Sequence, residues 1–474
     1  MRTEIEYAAE LGLEDSTDES IQPVQKFELT SGQQHAIEVL QEWWKTDSMD
    51  IVLSGSPGTG KTFLAKYFAN NLPKVVPLFT APTNEAVRQL ELSLGGKAAT
   101  KTTYSALGLK LSTSSYKQKI YQSKLPEDFD DFNLLIIDES SMAGKKDAAD
   151  KKAYDLLMDY VQSSGLRRIW LGDWAQLPPV ESSNGESPCF KQDFQTVELT
   201  QVKRHAGAIL DFAIQLREIL KQPIRNLPQN ISSEIGQRKR NSEGLIDFTP
   251  EEFQAIIEDR ARILTWTNGV TQYSKIPGVR EYNFKIRSMM FGADKAAESD
   301  IWPEDRILFA SPLFTVKDRA SVTLENLTKA VFEMQASVNT RAEVVSQEKC
   351  MQFGVECWRA AVEMEGGKDA VIYIPTKAGM EAKVRMEKEF MSIAANADGA
   401  AAAGKAWHYY HTFRQLFADV KHTYCVTTHR AQGSTIDEVF VDVGNILQNR
   451  DRLVAFKSLY VAATRAKNKL HLIR

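Results

Sequence analysis

The chain has 474 residues, 43% of them hydrophobic and 25% charged, ordinary values for a globular protein long enough for about two to four structural units. Its net charge of -4 excludes a global positive field, so a nucleic-acid surface would need its Lys and Arg gathered locally.

Residues 1–26 are acidic and lack the basic-then-apolar order of a signal peptide, which reads as a mobile tail. Gln34 to Trp44 is predicted as an amphipathic helix with Ala36, Ile37, Leu40 and Trp44 on one side. The apolar run Ile51 to Leu53 leads into a Gly-rich loop, and Phe63 to Leu72 reads as the helix that follows. Val75 to Thr80, Leu134 to Ile137 and Arg168 to Leu171 are further apolar strands. Strands that are apolar throughout and alternate with helices imply a parallel sheet covered on both faces. A polar segment at about 103–131, with Tyr116 and Tyr121, interrupts this rhythm and reads as a small inserted hairpin. A second series is expected to start near Val197, to include Arg262 to Thr267, and to resume at Thr423 to Val426, Val439 to Val443 and Lys469 to Ile473. Between them, about 293–419 mixes β-like pieces (Arg306 to Phe309, Ala370 to Ile374) with helix and an Ala-rich turn at Ala394 to Ala403. No apolar stretch approaches the ~20 residues of a membrane span. Cys189, Cys350, Cys357 and Cys425 form no C-x-x-C pair, as in reduced core thiols of a cytoplasmic chain. His408 and His411 lack partners that would complete a metal set.

The run Gly55-Ser56-Pro57-Gly58-Thr59-Gly60-Lys61-Thr62 follows a strand and opens a helix. In that context glycines let backbone N–H groups turn inward around a phosphate, and the helix N-terminus adds partial positive charge. Lys61 then reaches the outer phosphates and Thr62 ligates Mg²⁺. Asp138 and Glu139 end an apolar strand downstream. Asp138 is expected to hold the metal and Glu139 to polarise the attacking water. The chemistry indicated is nucleotide hydrolysis with ATP and Mg²⁺ as cofactors.

Around that loop lies an ordered series of motifs. They are Leu29-Thr30-Ser31-Gly32-Gln33, Ala81-Pro82-Thr83, Thr102-Thr103-Tyr104-Ser105, Asp138-Glu139-Ser140-Ser141-Met142 and Gly172-Asp173-Trp174-Ala175-Gln176-Leu177-Pro178-Pro179-Val180. Leu199-Thr200-Gln201-Val202-Lys203-Arg204, Thr427-Thr428-His429-Arg430-Ala431-Gln432-Gly433 and Tyr460-Val461-Ala462-Ala463-Thr464-Arg465-Ala466 follow. The series resembles superfamily 1 DNA helicases, most closely the Dda-like bacteriophage helicases of the RecD/Pif1 branch, over nearly the whole chain from Phe27. The resemblance implies Gln33 as the adenine reader and Gln176 as a γ-phosphate sensor. It makes Arg204 and Arg465 arginines that meet the γ-phosphate from a second domain, and it adds Gln432 and Gly433 to the nucleotide site. Strand contacts are implied for Thr83, Asn84, Thr103, Ser105, Thr428 and His429. Trp407, Tyr409 and Tyr410 are candidate base platforms, with core packing as the competing reading, and Tyr121 or Tyr116 is a candidate for a strand-splitting pin. Two departures stand out: Asn84 where phage relatives tend to carry His, and a Gly/Pro-containing spacer between Asn268 and the pair Asn283 and Arg287.

The expected fold is therefore α/β, a P-loop NTPase with two RecA-like parallel-sheet domains. The first spans 27–195 with the hairpin at about 103–131. The second spans 196–292 and 420–474, with a larger β-rich, SH3-like and helical insert at 293–419. The expected function is an ATP-dependent DNA helicase moving 5′ to 3′ by resemblance, acting on single-stranded DNA and forked duplex. The alternative is a DNA-stimulated ATPase that remodels protein–DNA complexes with little unwinding. A single-strand-binding or recombination protein as partner, no membrane, a monomeric state and a cytoplasmic location (that of the host, for a phage protein) complete the expectation.

Overall fold

The structure is a computed structural model and describes residues 29–96, 98–106, 109–111, 120–122, 131–142, 166–178, 187–190, 193–202, 207–271, 274–316, 319, 322–324 and 326–474. The N-terminal tail, Tyr116, Pro179, Val180 and Arg204 lie outside the described residues, and nothing is described of the side chains of Asn84, Tyr104 and Tyr121. The chain divides into two compact units, with boundaries at 109/110, 121/122 and 206/207.

Unit 1 opens with α1 (Ser31–Lys45), whose Thr30 and Gln33 form a capping box that satisfies two of the helix's first amides. Then come β1 (Asp50–Gly55), α2 (Lys61–Asn70), β2 (Pro77–Ala81), α3 (Asn84–Leu94) and β3 (Ala99–Thr102). The short strands β4 (Leu109–Leu111) and β5 (Ile120–Gln122) pair with one another, but all of their residues except Leu109 and Gln122 group with unit 2 and not with the first domain as expected. β6 (Leu134–Ile137), β7 (Arg167–Gly172) and β8 (Gln195–Leu199) complete a six-stranded sheet in the order β3-β2-β6-β7-β1-β8. Every pairing recorded in it is parallel. The carboxyl ends of its strands therefore share one edge, where α/β sheets bind ligands.

The core of this sheet joins Ile51, Leu53, Phe79, Leu134, Ile136, Ile169 and Leu171 to Leu40, Leu64 and Phe68 of α1 and α2. A buried ion pair ties β1 to β7 at the amino end of the strands. Asp50 on β1 receives Nε and Nη2 of Arg168 and Nε1 of Trp170, both on β7.

One expected boundary is corrected here. Val197 does not begin the second sheet: β8 pairs with β1, Val197 opposite Leu53 and Leu199 opposite Gly55. It is an edge strand, and only Val197 and Leu199 of its five residues are buried, so it lacks the continuous apolar run of its neighbours.

Unit 2 contains α4 (Ala208–Leu220), β9 (Gly236–Arg238), α5 (Pro250–Ile257), β10 (Ala261–Thr265) and α6 (Val279–Phe291). Its second sheet, β18-β10-β19-β20-β9, is completed by β18 (Cys425–Thr427), β19 (Ile436–Asp442) and β20 (Ala466–Ile473), and is parallel in every pairing recorded. Between α6 and β18 lie β11 (Arg306–Phe309), β12 (Leu313–Val316), β13 (Phe332–Ala336), β14 (Arg341–Gln352), β15 (Val355–Met364), β16 (Lys368–Pro375) and β17 (Val420–His422). Two helices, α7 (Lys377–Ala395) and α8 (Ala400–Gln415), pack together in this insert; the turn expected over Ala394 to Ala403 is only the break at 396–399, and the alanines on either side of it are helical. The insert sheet runs β16-β15-β14-β11-β17 and is antiparallel. It extends three residues beyond the expected end at 419, because Val420 to His422 pair with Phe309 to Ile307.

The described end of the spacer leads into α6 at Val279, and both Asn283 and Arg287 make structural contacts. Asn283 exchanges two hydrogen bonds with the backbone of Cys425 on β18. Arg287 pairs with the buried Asp305 and donates to the carbonyls of Ala296 and Ser299, anchoring the insert.

Candidate functional site

The loop after β1 has the geometry its glycines predict. Gly58 and Gly60 take positive φ, +82° and +85°, and Gly60 is the left-handed cap of α2. Non-glycine residues pay roughly 1–2 kcal/mol for that region. Thr59 is fully buried and its hydroxyl donates to the Ser56 carbonyl at 2.9 Å. Lys61 Nζ donates to the carbonyls of Gly55 (2.8 Å) and Ser56 (3.2 Å), which places the ammonium at the mouth of its own loop. Gln33, 3% exposed, braces the loop: its Nε2 donates to the Thr59 carbonyl at 3.1 Å and its Oε1 accepts from the Thr30 amide.

Opposite the loop, at the end of β6, Thr62 Oγ1 donates to Asp138 Oδ2 at 2.8 Å. The other carboxylate oxygen accepts the Glu139 N–H at 2.8 Å, and Asp138's own amide is fixed by the Thr80 carbonyl on β2. Glu139 has φ +49°, an uncommon value for a non-glycine residue and one that turns the chain sharply after the strand. Its neighbour Ser140 anchors that turn by donating to the Leu171 carbonyl on β7. Gly172, at the end of β7, lies so close that a Cβ there would stand 2.5 Å from Ser140 Oγ. Past it, Gln176 is buried in a turn in which its N–H donates to the Asp173 carbonyl. The ends of three strands, β1, β6 and β7, thus bring Lys61, Thr62, Asp138, Glu139 and Gln176 to one edge of unit 1. Thr62 and Asp138 offer the hard oxygen donors a Mg²⁺ ion takes.

Of the expected strand contacts in unit 1, Thr83 caps α3 by accepting the Ala86 amide, Thr103 is buried, and Ser105 is exposed with its amide held by Thr102 Oγ1.

In unit 2, Arg465 is buried. Its guanidinium donates to the carbonyls of Val461 and Ser434 and to Thr464 Oγ1. Gln432 ends the short helical turn Thr428–Ala431, and Gly433 follows with φ +87° and open space around it. Two expected contacts are corrected. Thr428 is fully buried, and its hydroxyl donates to the Thr265 carbonyl at 3.2 Å, so it joins β18 to β10 instead of facing a strand. Tyr410 is buried in α8 between Trp407 (5.7 Å), His411 (5.0 Å) and the Arg414 guanidinium (5.6 Å). Tyr409 packs on Phe390 and donates to the Leu324 carbonyl. Tyr409 packs against the core of the insert, Tyr410 is buried, and Trp407 is half-buried beside them.

The motif reading missed two residues. Asn445 is fully buried after β19, where its Oδ1 accepts the amides of Trp266 and Thr267. Trp266, at the end of β10, meets the His429 ring at 4.8 Å and 51°. The signal available was position alone, a Trp just past an apolar strand. Burial holds the His429 imidazole below its usual pKa, so the ring is neutral at pH 7.

Comparison with known proteins places these sites in context. Residues 28–222 match the model of an AAA domain, and 422–473 match that of a UvrD-like helicase C-terminal domain. The ATP-dependent DNA helicase Dda of Enterobacteria phage T4 is 27% identical over 467 residues, covering 93% of this chain and 98% of its own. The ATP-dependent DNA helicase Pif1 of Bdellovibrio bacteriovorus is 23% identical over 469 residues, covering 96% and 89%. A crystal structure of Bacteroides Pif1 in complex with ADP-AlF3 and ssDNA aligns with 94% of this chain and 92% of its own, at 15% identity and a TM-score of 0.45.

Proposed function

We infer the activity from a chain that is a Pif1-like superfamily 1 helicase similar to Dda: it is an ATP-hydrolysing DNA helicase. The observation that carries the chemistry is the Thr62–Asp138 hydrogen bond, with Glu139 fixed on the same carboxylate. Thr62 and Asp138 would hold Mg²⁺, which when bound offsets charge on the phosphates. Lys61 orients the outer phosphates, Glu139 takes the proton of the attacking water, and Gln176 registers the γ-phosphate. Arg465 is proposed as the arginine that steadies the charge of bond breaking, an effect of roughly 10³–10⁵ in rate. In that role its guanidinium exchanges the Val461, Ser434 and Thr464 oxygens for phosphate oxygens. Arg204 is proposed for the same task from the fourth motif, and Gln33 for the adenine edge.

The substrates proposed are single-stranded DNA and forked duplex, with movement 5′ to 3′, in replication or recombination in a host cytoplasm. The polarity rests on the family resemblance. Both expectations are read in one set of assays: ATP hydrolysis with and without single-stranded DNA or RNA, and unwinding of duplexes with a 5′ or a 3′ overhang. DNA-stimulated hydrolysis and unwinding from the 5′ overhang are expected. Lys61→Ala should abolish both while leaving the circular dichroism unchanged. Hydrolysis that survives Lys61→Ala refutes the nucleotide assignment. Hydrolysis without unwinding would make the chain a remodelling ATPase.

A further inference from the structure

The second sheet gathers three strand ends at one point. In register, Thr265 of β10 stands beside Thr427 of β18, and Leu264 beside Val441 of β19. The next residues along each strand, Trp266, Thr428 with His429, and the Val443–Ile446 turn, therefore emerge together at the carboxyl edge. The backbone there is clamped. Asn445 accepts the amides of Trp266 (2.8 Å) and Thr267 (3.0 Å), donates to Thr267 Oγ1 and the Pro277 carbonyl (both 2.8 Å), and has its own amide held by Asp442. Thr428 Oγ1 closes the clamp from β18 onto the Thr265 carbonyl.

What the clamp positions is a pair of rings. Trp266 and His429 are half-buried, with centroids 4.8 Å apart at 51°. Neither belongs to the core cluster around Tyr282 and Phe440 that fills this sheet. The Trp266 indole N–H has no hydrogen-bond partner among the described residues. A large ring left half-exposed on a rigid strand end, with a neutral imidazole beside it, is a surface for stacking a flat aromatic ligand.

We propose that Trp266, with His429 at its edge, is a stacking shelf for one base of single-stranded nucleic acid, and that Trp266 is a strand-contacting residue of unit 2. This rests on the helicase reading, which supplies the strand. The same π-chemistry would accept the adenine of a nucleotide, and the measurements below separate the two sources.

The experiment is binding of a labelled oligo(dT), without nucleotide, to wild-type protein, Trp266→Leu and Trp266→Phe. A stacked base predicts binding by Trp266→Leu about tenfold to a hundredfold weaker. Trp266→Phe, which keeps a ring, should stay close to wild type. On an oligonucleotide of equal length made abasic throughout, wild type and Trp266→Leu should bind alike. Equal affinity of Trp266→Leu and wild type for oligo(dT) overturns the proposal. So does an equal loss on the abasic strand, which marks a structural role, and so does a weakened ATP affinity with strand binding intact, which assigns the shelf to adenine. Should Trp266→Leu fail to fold, photocrosslinking of wild-type protein to an iodouracil-bearing strand decides: an adduct on Trp266 or His429 supports the shelf, and adducts only elsewhere overturn it. Wild-type protein that binds no single-stranded DNA defeats the helicase reading itself, a failure distinct from that of the shelf.

Discussion

Replacing Gly60 by Ala perturbs the phosphate loop in a way that two residues share. Gly60 has φ +85°, and a Cβ built there would stand 2.8 Å from Gln33 Nε2. The left-handed backbone costs a non-glycine residue roughly 1–2 kcal/mol. The Cβ also pushes Gln33 aside, with the loss of its bonds to the Thr59 carbonyl and the Thr30 amide, each worth about 1 kcal/mol net. Gly60→Ala should then destabilise unit 1 by about 3–4 kcal/mol. In a Gln33→Ala background the collision is gone and only the backbone strain remains, so the same substitution should cost about 1–2 kcal/mol. The difference, a coupling of about 2 kcal/mol, is well above what distant sites show. Urea unfolding of the wild type, both single variants and the double variant, followed by far-UV circular dichroism, measures all four corners of the cycle. Equal costs of Gly60→Ala in the two backgrounds would refute the idea that Gln33 and the loop form one mechanical unit.

The buried pair at the amino end of β1 and β7 gives a second expectation. Asp50→Ala strands Arg168, which is 3% exposed, and should cost about 3–5 kcal/mol, while adding Arg168→Met should recover most of it; a loss below about 1 kcal/mol in urea unfolding would contradict the burial argument. Tyr410→Ala should lower stability by about 3 kcal/mol through the lost packing and leave oligo(dT) affinity of the folded protein unchanged. Weaker strand binding at an unaltered unfolding midpoint would instead return Tyr410 to the nucleic-acid surface. Burial holds both His422 and His429 below the ordinary imidazole pKa, with Asp305 partly opposing it at His422. A depressed folded pKa gives stability that is complete above the unfolded value of about 6.5 and lost as pH falls through the folded one. Unfolding free energy should drop from pH 7 to pH 5, by up to about 1.4 kcal/mol per pH unit for each histidine. His422→Gln should flatten that slope, and a slope identical to wild type would remove His422 from the account.

The sequence was most readable where the physics is local. Leu134 to Ile137 is a strand at the predicted residues because four buried apolar positions in a row suit only a doubly covered sheet. The phosphate loop was legible because its glycines and lysine are consecutive. Asp138 was placed because an apolar strand ended on it. Elsewhere the deciding interaction is remote in sequence. β8 joins the first sheet through pairing with β1, which nothing within Gln195 to Leu199 announces. The aromatics of α8 lie close in sequence to Thr427 and His429, yet helical geometry turns Tyr410 inward. Trp266 and His429 are 163 positions apart in the chain, as Thr265 and Thr428 are, and only the parallel register of β10 and β18 makes them neighbours.

The strand order of the first sheet also bears on how the chain is made. β1 leaves the ribosome early, yet its two neighbours come late: Asp50 waits for Arg168, 118 residues on, and its other edge waits for Gln195 to Leu199. Until then the strand that carries the phosphate loop has two open edges, each a template for pairing with another chain. Parallel strands of such separation form slowly, because a long loop must close before any contact rewards it. A fragment ending before Gln195 keeps one of those edges permanently bare and should aggregate, whereas one that runs through 206 closes it. For this protein the most exposed moment is therefore nascent, and chaperone dependence should fall sharply once β8 has emerged.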